Sequence, residues 1–191
     1  MRIPTVLIYA TFCFYANLTF AQVENNEKNI KSFRNGEMRN LIIHELPRIL
    51  PEVEVLSKKG DTEVLNFDSQ QVLLINFWAT WCLPCREEMP SLSKIVEAIG
   101  SNNFSVIIIA TGRQSNEKVK AFIDEHNLYN LRSYRDPKGK LASKLGVLGL
   151  PTTIIIDKGS MEVARLIGST DWNSSSAISL IEYLLTRHSN E

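Results

Sequence analysis

The chain has 191 residues, 44% of them hydrophobic and 22% charged, which suits one globular domain with a sizeable core and is short for two. Basic and acidic residues number 21 each, so the formal net charge is zero. That balance lacks the basic footprint of a nucleic-acid binder, and nucleic acid is set aside as a partner.

Residues 1–21 differ from the rest. Arg2 precedes an apolar run from Ile3 to Tyr15, followed by Leu18, Phe20 and Ala21, with no acid before Glu24. Thr19 and Ala21 place small residues three and one positions before a cut after Ala21, the pattern of a secretory signal peptide. An uncleaved membrane anchor is the competing reading, but Thr5, Thr11, Asn17 and Thr19 interrupt the run. Removal of the leader takes Cys13 with it and leaves Cys82 and Cys85 as the only cysteines. One close pair in an exported chain is no multi-disulfide scaffold, and so short a loop gains little stability from closure. The pair needs a chemical reason.

Residues 22–50 read as a polar spacer and N-terminal extension, with a short helix expected around Leu41, Ile42 and Ile43. The domain proper is expected over 51–191. Alternating runs at Val53–Leu56 and Glu63–Leu65 flank Lys59-Gly60-Asp61 and predict a β-hairpin. Val72 to Trp78 is nearly continuous apolar sequence, as in a strand buried on both faces. Cys85, Met89, Leu92, Val96 and Ile99 then recur at helical spacing up to Gly100, with Pro90 expected to kink the helix.

Val106 to Ala110 is a second buried strand. Asn116 is expected to cap a helix running to His126, with Val119, Phe122 and Ile123 on its inner face. An extra strand near Leu131 to Tyr134, a turn at Asp136 to Gly139 and a short helix to Leu145 follow. Thr152 to Ile156 and Met161 to Ile167 form a hairpin through Asp157-Lys158-Gly159. A closing helix from Ser174 to Arg187 buries Ile178, Ile181, Leu184 and Leu185. The sum is an α/β fold with a mixed central sheet and helices on both faces.

Trp81-Cys82-Leu83-Pro84-Cys85 falls where a buried strand feeds a helix. Free amide N–H groups and a partial positive charge gather there, so the Cys82 thiolate is favoured and its pKa should fall. Thiolate is the attacking species in disulfide exchange. Cys85, almost one turn below, is placed to resolve the mixed disulfide, and Pro84 fits a first turn that needs no N–H. A tetrahedral metal site would require two further ligands, and His44, His126 and His188 show no ligand spacing. No metal or other cofactor is expected beyond the redox-active Cys82–Cys85 disulfide.

The stretches Asn76-Phe77-Trp78-Ala79-Thr80-Trp81-Cys82-Leu83-Pro84-Cys85-Arg86-Glu87-Glu88-Met89-Pro90 and Gly146-Val147-Leu148-Gly149-Leu150-Pro151-Thr152-Thr153-Ile154-Ile155-Ile156-Asp157 resemble the thioredoxin superfamily. The resemblance is to its TlpA-like branch of bacterial extracytoplasmic thiol–disulfide reductases, and it runs from about Pro51 to Leu185. It implies a thioredoxin-like fold and a cis Pro151 facing the disulfide, with Leu150 offering backbone to an extended substrate strand. From the residues alone, a trans proline at a strand edge is the commoner alternative. Asn76 departs from cytosolic thioredoxins, which carry an acid there, so proton handling must come from elsewhere. Glu88, one turn after Cys85 on the margin of the apolar stripe, should be partly desolvated, with a raised pKa suited to exchanging protons with the thiols. Arg86 and Glu87 point outward by the same periodicity.

Trp78 reads as core, Trp81 as substrate surface beside the reactive sulfur, and Trp172 as packing. His126 reads as a surface or capping residue, and Asp136 and Asp157 as turn residues. Leu83 and Pro84 supply no cation to Cys82, so a reductase is expected, at roughly −200 to −270 mV. The resemblance further implies a periplasmic or other extracytoplasmic location, a membrane-embedded electron donor and a protein disulfide as substrate. The acceptors it suggests are cytochrome c maturation proteins or copper-delivery proteins of respiratory oxidase assembly. A thiol peroxidase and a redox-inactive copper or partner-binding module are the alternatives from other classes.

Overall fold

Val72–Trp78 is buried at all seven positions, as its apolar run requires of a strand covered on both faces. The structure is a computed structural model, and it describes residues 30–187 except 66, 68, 69 and 101. The leader read in residues 1–21, the spacer up to residue 29 and His188 lie outside the described residues. In chain order the elements are β1 (Leu41–Ile49), β2 (Val53–Leu56), β3 (Thr62–Leu65), β4 (Val72–Trp78), α1 (Leu83–Ile99), β5 (Phe104–Thr111), α2 (Asn116–Glu125), β6 (Arg132–Asp136), α3 (Lys140–Lys144), β7 (Thr152–Ile156), β8 (Met161–Ile167) and α4 (Ser175–Arg187). Among the described residues no helix is long and apolar enough to cross a membrane.

One sheet takes the order β1-β8-β7-β4-β5-β6-β2-β3. β4, β5 and β6 are parallel neighbours, and every other pairing is antiparallel. Two crossovers of one hand, moving the same way across the sheet, put α1 and α2 on one face. The alternation along β4 sorts the core accordingly. Leu74 and Trp78 pack with Leu92 of α1, Phe122 of α2 and Leu180 of α4. Leu73, Ile75 and Phe77 pack with Leu141 and Leu145 around α3, and with Val53 and Val55 of β2. The thioredoxin-like α/β architecture expected from the sequence is present.

Three local expectations need correction. Residues 30–50 are part of the domain, not a spacer: Ile30, Met38 and Leu41 are buried in the core, and Leu41–Ile49 is the edge strand β1, not a short helix. β1 pairs with β8, and its register shifts between Ile43 and Arg48, an irregularity that accommodates Pro47 where no ladder N–H is required. The cap of α2 is Ser115, whose Oγ accepts the Lys118 N–H at 3.3 Å, and Asn116 is the first helical residue. α1 is one helix from Leu83 to Ile99, with Pro90 inside it.

Candidate active site: a cystine at a helix N-terminus

The chain leaves β4 at Trp78 and turns at once, the Cys82 N–H bonding the Ala79 carbonyl at 3.1 Å. Cys82 is the N-cap of α1, in extended backbone conformation, and its carbonyl accepts the Arg86 N–H at 3.1 Å to open the helical ladder. Leu83, Pro84 and Cys85 fill the first turn. A proline is tolerated there because an N–H at that position would have no intrahelical acceptor. Cys82 and Cys85 are joined by a disulfide, with Cα atoms 5.3 Å apart. The two are unequally accessible: Cys82 keeps 7% of its surface open and Cys85 none.

Glu88 follows on the inner side of α1 and is only 3% exposed. Its Oε1 accepts from Asn76 Nδ2 at 2.7 Å, and its Oε2 from the Thr170 N–H at 3.2 Å. Burial pushes its pKa up to about 7, against the pull of the Asn76 and Thr170 donors toward the charged form. The indole of Trp172 adds a weaker pull in the same direction without completing a hydrogen bond, since among the described residues its buried Nε1 has no partner of bonding geometry. The carboxyl therefore gains and loses its proton around neutral pH, where thiols exchange theirs.

The loop before β7 holds the other residues singled out in the sequence. The Leu150–Pro151 peptide is cis, as the resemblance implied, and Pro151 is buried while Leu150 is half-buried. Trp81 is 67% exposed, Leu148 is 98% exposed, and Leu83 and Pro84 are also open to solvent. Trp78 and Trp172 are fully buried, in keeping with packing roles. Asp136 and Asp157 serve turns: the Asp136 carboxylate accepts the Ala142 N–H, and that of Asp157 accepts the Gly159 and Met161 N–H groups. His126 is the exposed C-cap of α2.

Three features escaped the sequence reading. Leu148 has a local signal, since Val147 and Leu148 form an apolar pair between Gly146 and Gly149 just ahead of Pro151. The Asn76–Glu88 bond joins a strand to a helix, and no spacing rule announces it. The third is a brace behind the loop: Arg165 bonds both Glu162 oxygens, at 2.6 and 2.9 Å, and the Leu145 and Gly146 carbonyls at 3.2 Å.

A family model described as the AhpC/TSA family matches residues 48–164. The chain is 33% identical over 109 residues to the thioredoxin-like protein YneN of Bacillus subtilis, covering 56% of this chain and 63% of that one. It is 35% identical over 124 residues to the thiol:disulfide interchange protein DsbE of Pseudomonas fluorescens biotype C, covering 63% and 66% respectively. The chain thus spans a little under two thirds of both relatives. Among solved structures, a putative thiol:disulfide interchange protein DsbE from Chlorobium tepidum superposes with a TM-score of 0.64 at 22% identity, over 73% of this chain and 96% of that one.

Proposed function

Because the chain belongs to the AhpC/TSA family, in its TlpA-like thioredoxin branch, we propose that it is an extracytoplasmic thiol–disulfide oxidoreductase that reduces protein disulfides. The observation that carries the reading is the unequal cystine at the N-terminus of α1, in which Cys82 keeps a narrow opening to solvent, 7% of its surface, and Cys85 is sealed. In the dithiol form, Cys82 thiolate attacks one sulfur of the partner's disulfide, and the other partner sulfur leaves as a thiolate that takes up a proton. Cys85 then loses its proton and attacks Cys82 Sγ, closing the Cys82–Cys85 bond and expelling the second partner thiolate. Two electrons and two protons pass to the partner.

Glu88 is the group proposed to take and return the Cys85 proton. Trp81, Pro84, Leu150 and Pro151 form the proposed substrate surface. An extended segment of the partner would lie along Leu150, with its cystine over Cys82. Regeneration of the dithiol outside the cytoplasm requires an electron donor, proposed to be a membrane-embedded protein, with the N-terminal segment available as a leader or tether. Cytochrome c maturation or copper-site assembly of respiratory oxidases are the processes proposed for the acceptor. The peroxidase alternative is less favoured: Leu83 and Pro84 give Cys82 no polar activating set, and Cys85 is close enough to capture it.

The test is to trap acceptors with Cys85→Ser, which stalls the mixed disulfide on Cys82, and to titrate the native pair against glutathione. A trapped protein partner and a potential near roughly −200 to −270 mV support the reading. A potential above about −150 mV overturns the reductase direction.

A further inference from the structure

An open groove of about 680 Å³ starts at Trp81 and runs along α2. Three cations, Arg86, Arg113 and Lys118, line it against a single acid, Glu125. The whole chain balances 21 basic against 21 acidic residues, so this concentration of one sign beside the disulfide is local. Among the described residues, none of the three cations has a carboxylate within 4.0 Å. Charged groups left unpaired on a groove wall are available to a partner.

The wall is also held in place. The Arg86 guanidinium lies 5.8 Å above the Phe122 ring, and Phe122 is itself wedged 5.1 Å from Trp78 and 4.4 Å from His126. Gln114 fixes the loop that carries Arg113: its Oε1 accepts the Thr80 N–H at 2.8 Å and its Nε2 donates to the Thr111 carbonyl at 3.0 Å. The groove is therefore tied to the segment just before Cys82 and keeps its register with the disulfide. On the far side of α1 the sign reverses, because Glu37, Glu87 and Asp171 line a second cleft of about 300 Å³ that reaches Glu88. Charge of opposite sign on the two sides of a reactive centre orients whatever binds across it.

We propose that the Trp81–α2 groove docks an acidic segment of the protein whose disulfide is exchanged, so that charge fixes the direction in which the partner lies over Cys82. The proposal deepens the exchange reading above and rests on it for the partner's chemistry. Arg113 and Lys118 contact the acidic side chains, Arg86 supplies a cation next to the cystine, and the exposed Trp81 indole covers the apolar flank.

The decisive measurement keeps docking apart from chemistry. The oxidised full chain is titrated with cysteine-free peptides of one length carrying acidic, neutral or basic side chains, read by tryptophan fluorescence. The acidic peptide should bind about tenfold tighter than the neutral one at low salt, and lose that advantage as salt rises. In the Arg113→Glu/Lys118→Glu variant the order should reverse in favour of the basic peptide. Equal affinities in the native chain, or an order that survives the charge reversal, overturn the proposal. So does a single-stranded oligonucleotide that matches the acidic peptide, because the groove would then be a general polyanion site. Reduction of hydroxyethyl disulfide by the dithiol form serves as the separate chemical arm and should be the same in native and reversed chains. Its complete absence would sink the exchange reading while the peptide titration still decides the groove.

Discussion

Asn76 Nδ2 lies 2.7 Å from Glu88 Oε1 and 2.9 Å from Thr153 Oγ1, joining β4 to α1 and to β7 through one buried amide. The carboxylate that titrates near neutrality is thereby tied to the strand that starts just after the cis Pro151. Among the described residues Asn76 Oδ1 is buried with no partner of its own, so the amide is committed to donating, which suits a charged Glu88 better than a neutral one.

Replacing Glu88 separates proton transfer from packing. Its pKa is raised from 4.5 to about 7, so the folded chain holds a proton that the unfolded chain releases in that interval. The stability associated with it is present below pH 4.5 and is lost as pH rises through about 7. At full ionisation the loss is about 3 kcal/mol. Glu88→Gln should abolish this slope, seen as urea midpoints that no longer fall between mildly acidic and mildly alkaline buffer. It should also slow resolution of the mixed disulfide about a hundredfold. A variant that keeps the native rate and pH profile would remove Glu88 from the proton path.

Asn76→Ala tests the tether itself. The Asn76 hydrogen bond lowers the Glu88 pKa against the effect of burial, so its loss should move that pKa above 7. The alkaline shift would be read from the pH dependence of the exchange rate. A purely structural Asn76 would lower stability and leave the pH profile where it was. The variant should cost about 1–3 kcal/mol, because the Thr153 hydroxyl and the Glu88 carboxyl each lose a buried partner.

What the sequence made legible follows from where periodicity exists. β4, β7 and β8 are found at the residues expected, because uninterrupted apolar runs between turn residues leave one solution. Helical spacing puts Glu88 at the margin of the stripe that Cys85, Met89, Leu92 and Val96 define, and the structure buries it with that stripe, at 3% exposure, because β4 and the Thr170 segment cover it. β1 was not legible: of Leu41–Ile49 only Leu41 is buried, so the strand has no alternating signal and is recognised through its pairing with β8. Ser115 and Asn116 are equally good capping residue types, so the sequence does not choose between them and only the Ser115–Lys118 bond does. The Arg165–Glu162–His44 cluster spans 118 residues from His44 to Glu162, and no local pattern joins the two.

That cluster carries the third prediction. Glu162 is buried, which by itself pushes its carboxyl up, but the Arg165 guanidinium and the His44 ring outweigh burial and hold it below the usual carboxylate range. Its contribution to stability is present above the unfolded pKa and is lost as pH falls through the folded one. Glu162→Gln should therefore cost about 3 kcal/mol at neutral pH, since it leaves Arg165 without its charge partner. It should also flatten the acid limb of the stability curve. Because Arg165 also holds the Leu145 and Gly146 carbonyls, amide exchange should speed up along Gly146 to Leu150 as well as in β1. Faster exchange confined to β1 would show that the brace does not reach the loop before β7.

The last prediction concerns Pro84 and the potential of the pair. An N-cap side chain accepts hydrogen bonds from the N–H groups two and three residues into the helix. With Cys82 at the cap, those positions are Pro84, which has no N–H, and Cys85. The Cys82 thiolate is therefore left with one backbone donor in place of two. Pro84 is exposed, so Pro84→Ala removes little packing and restores the missing donor. A hydrogen bond to a charged acceptor is worth about 1.5 kcal/mol. That should lower the Cys82 thiol pKa by about one unit. The new bond stabilises the thiolate alone and does nothing for the disulfide, so it favours the reduced form and raises the potential by about 30 mV. Thiolate absorbance against pH and equilibration with glutathione read the two effects independently. If neither moves, the amide N–H groups at this helix end are not what sets the poise of the pair, and the low potential expected from Leu83 and Pro84 needs another origin.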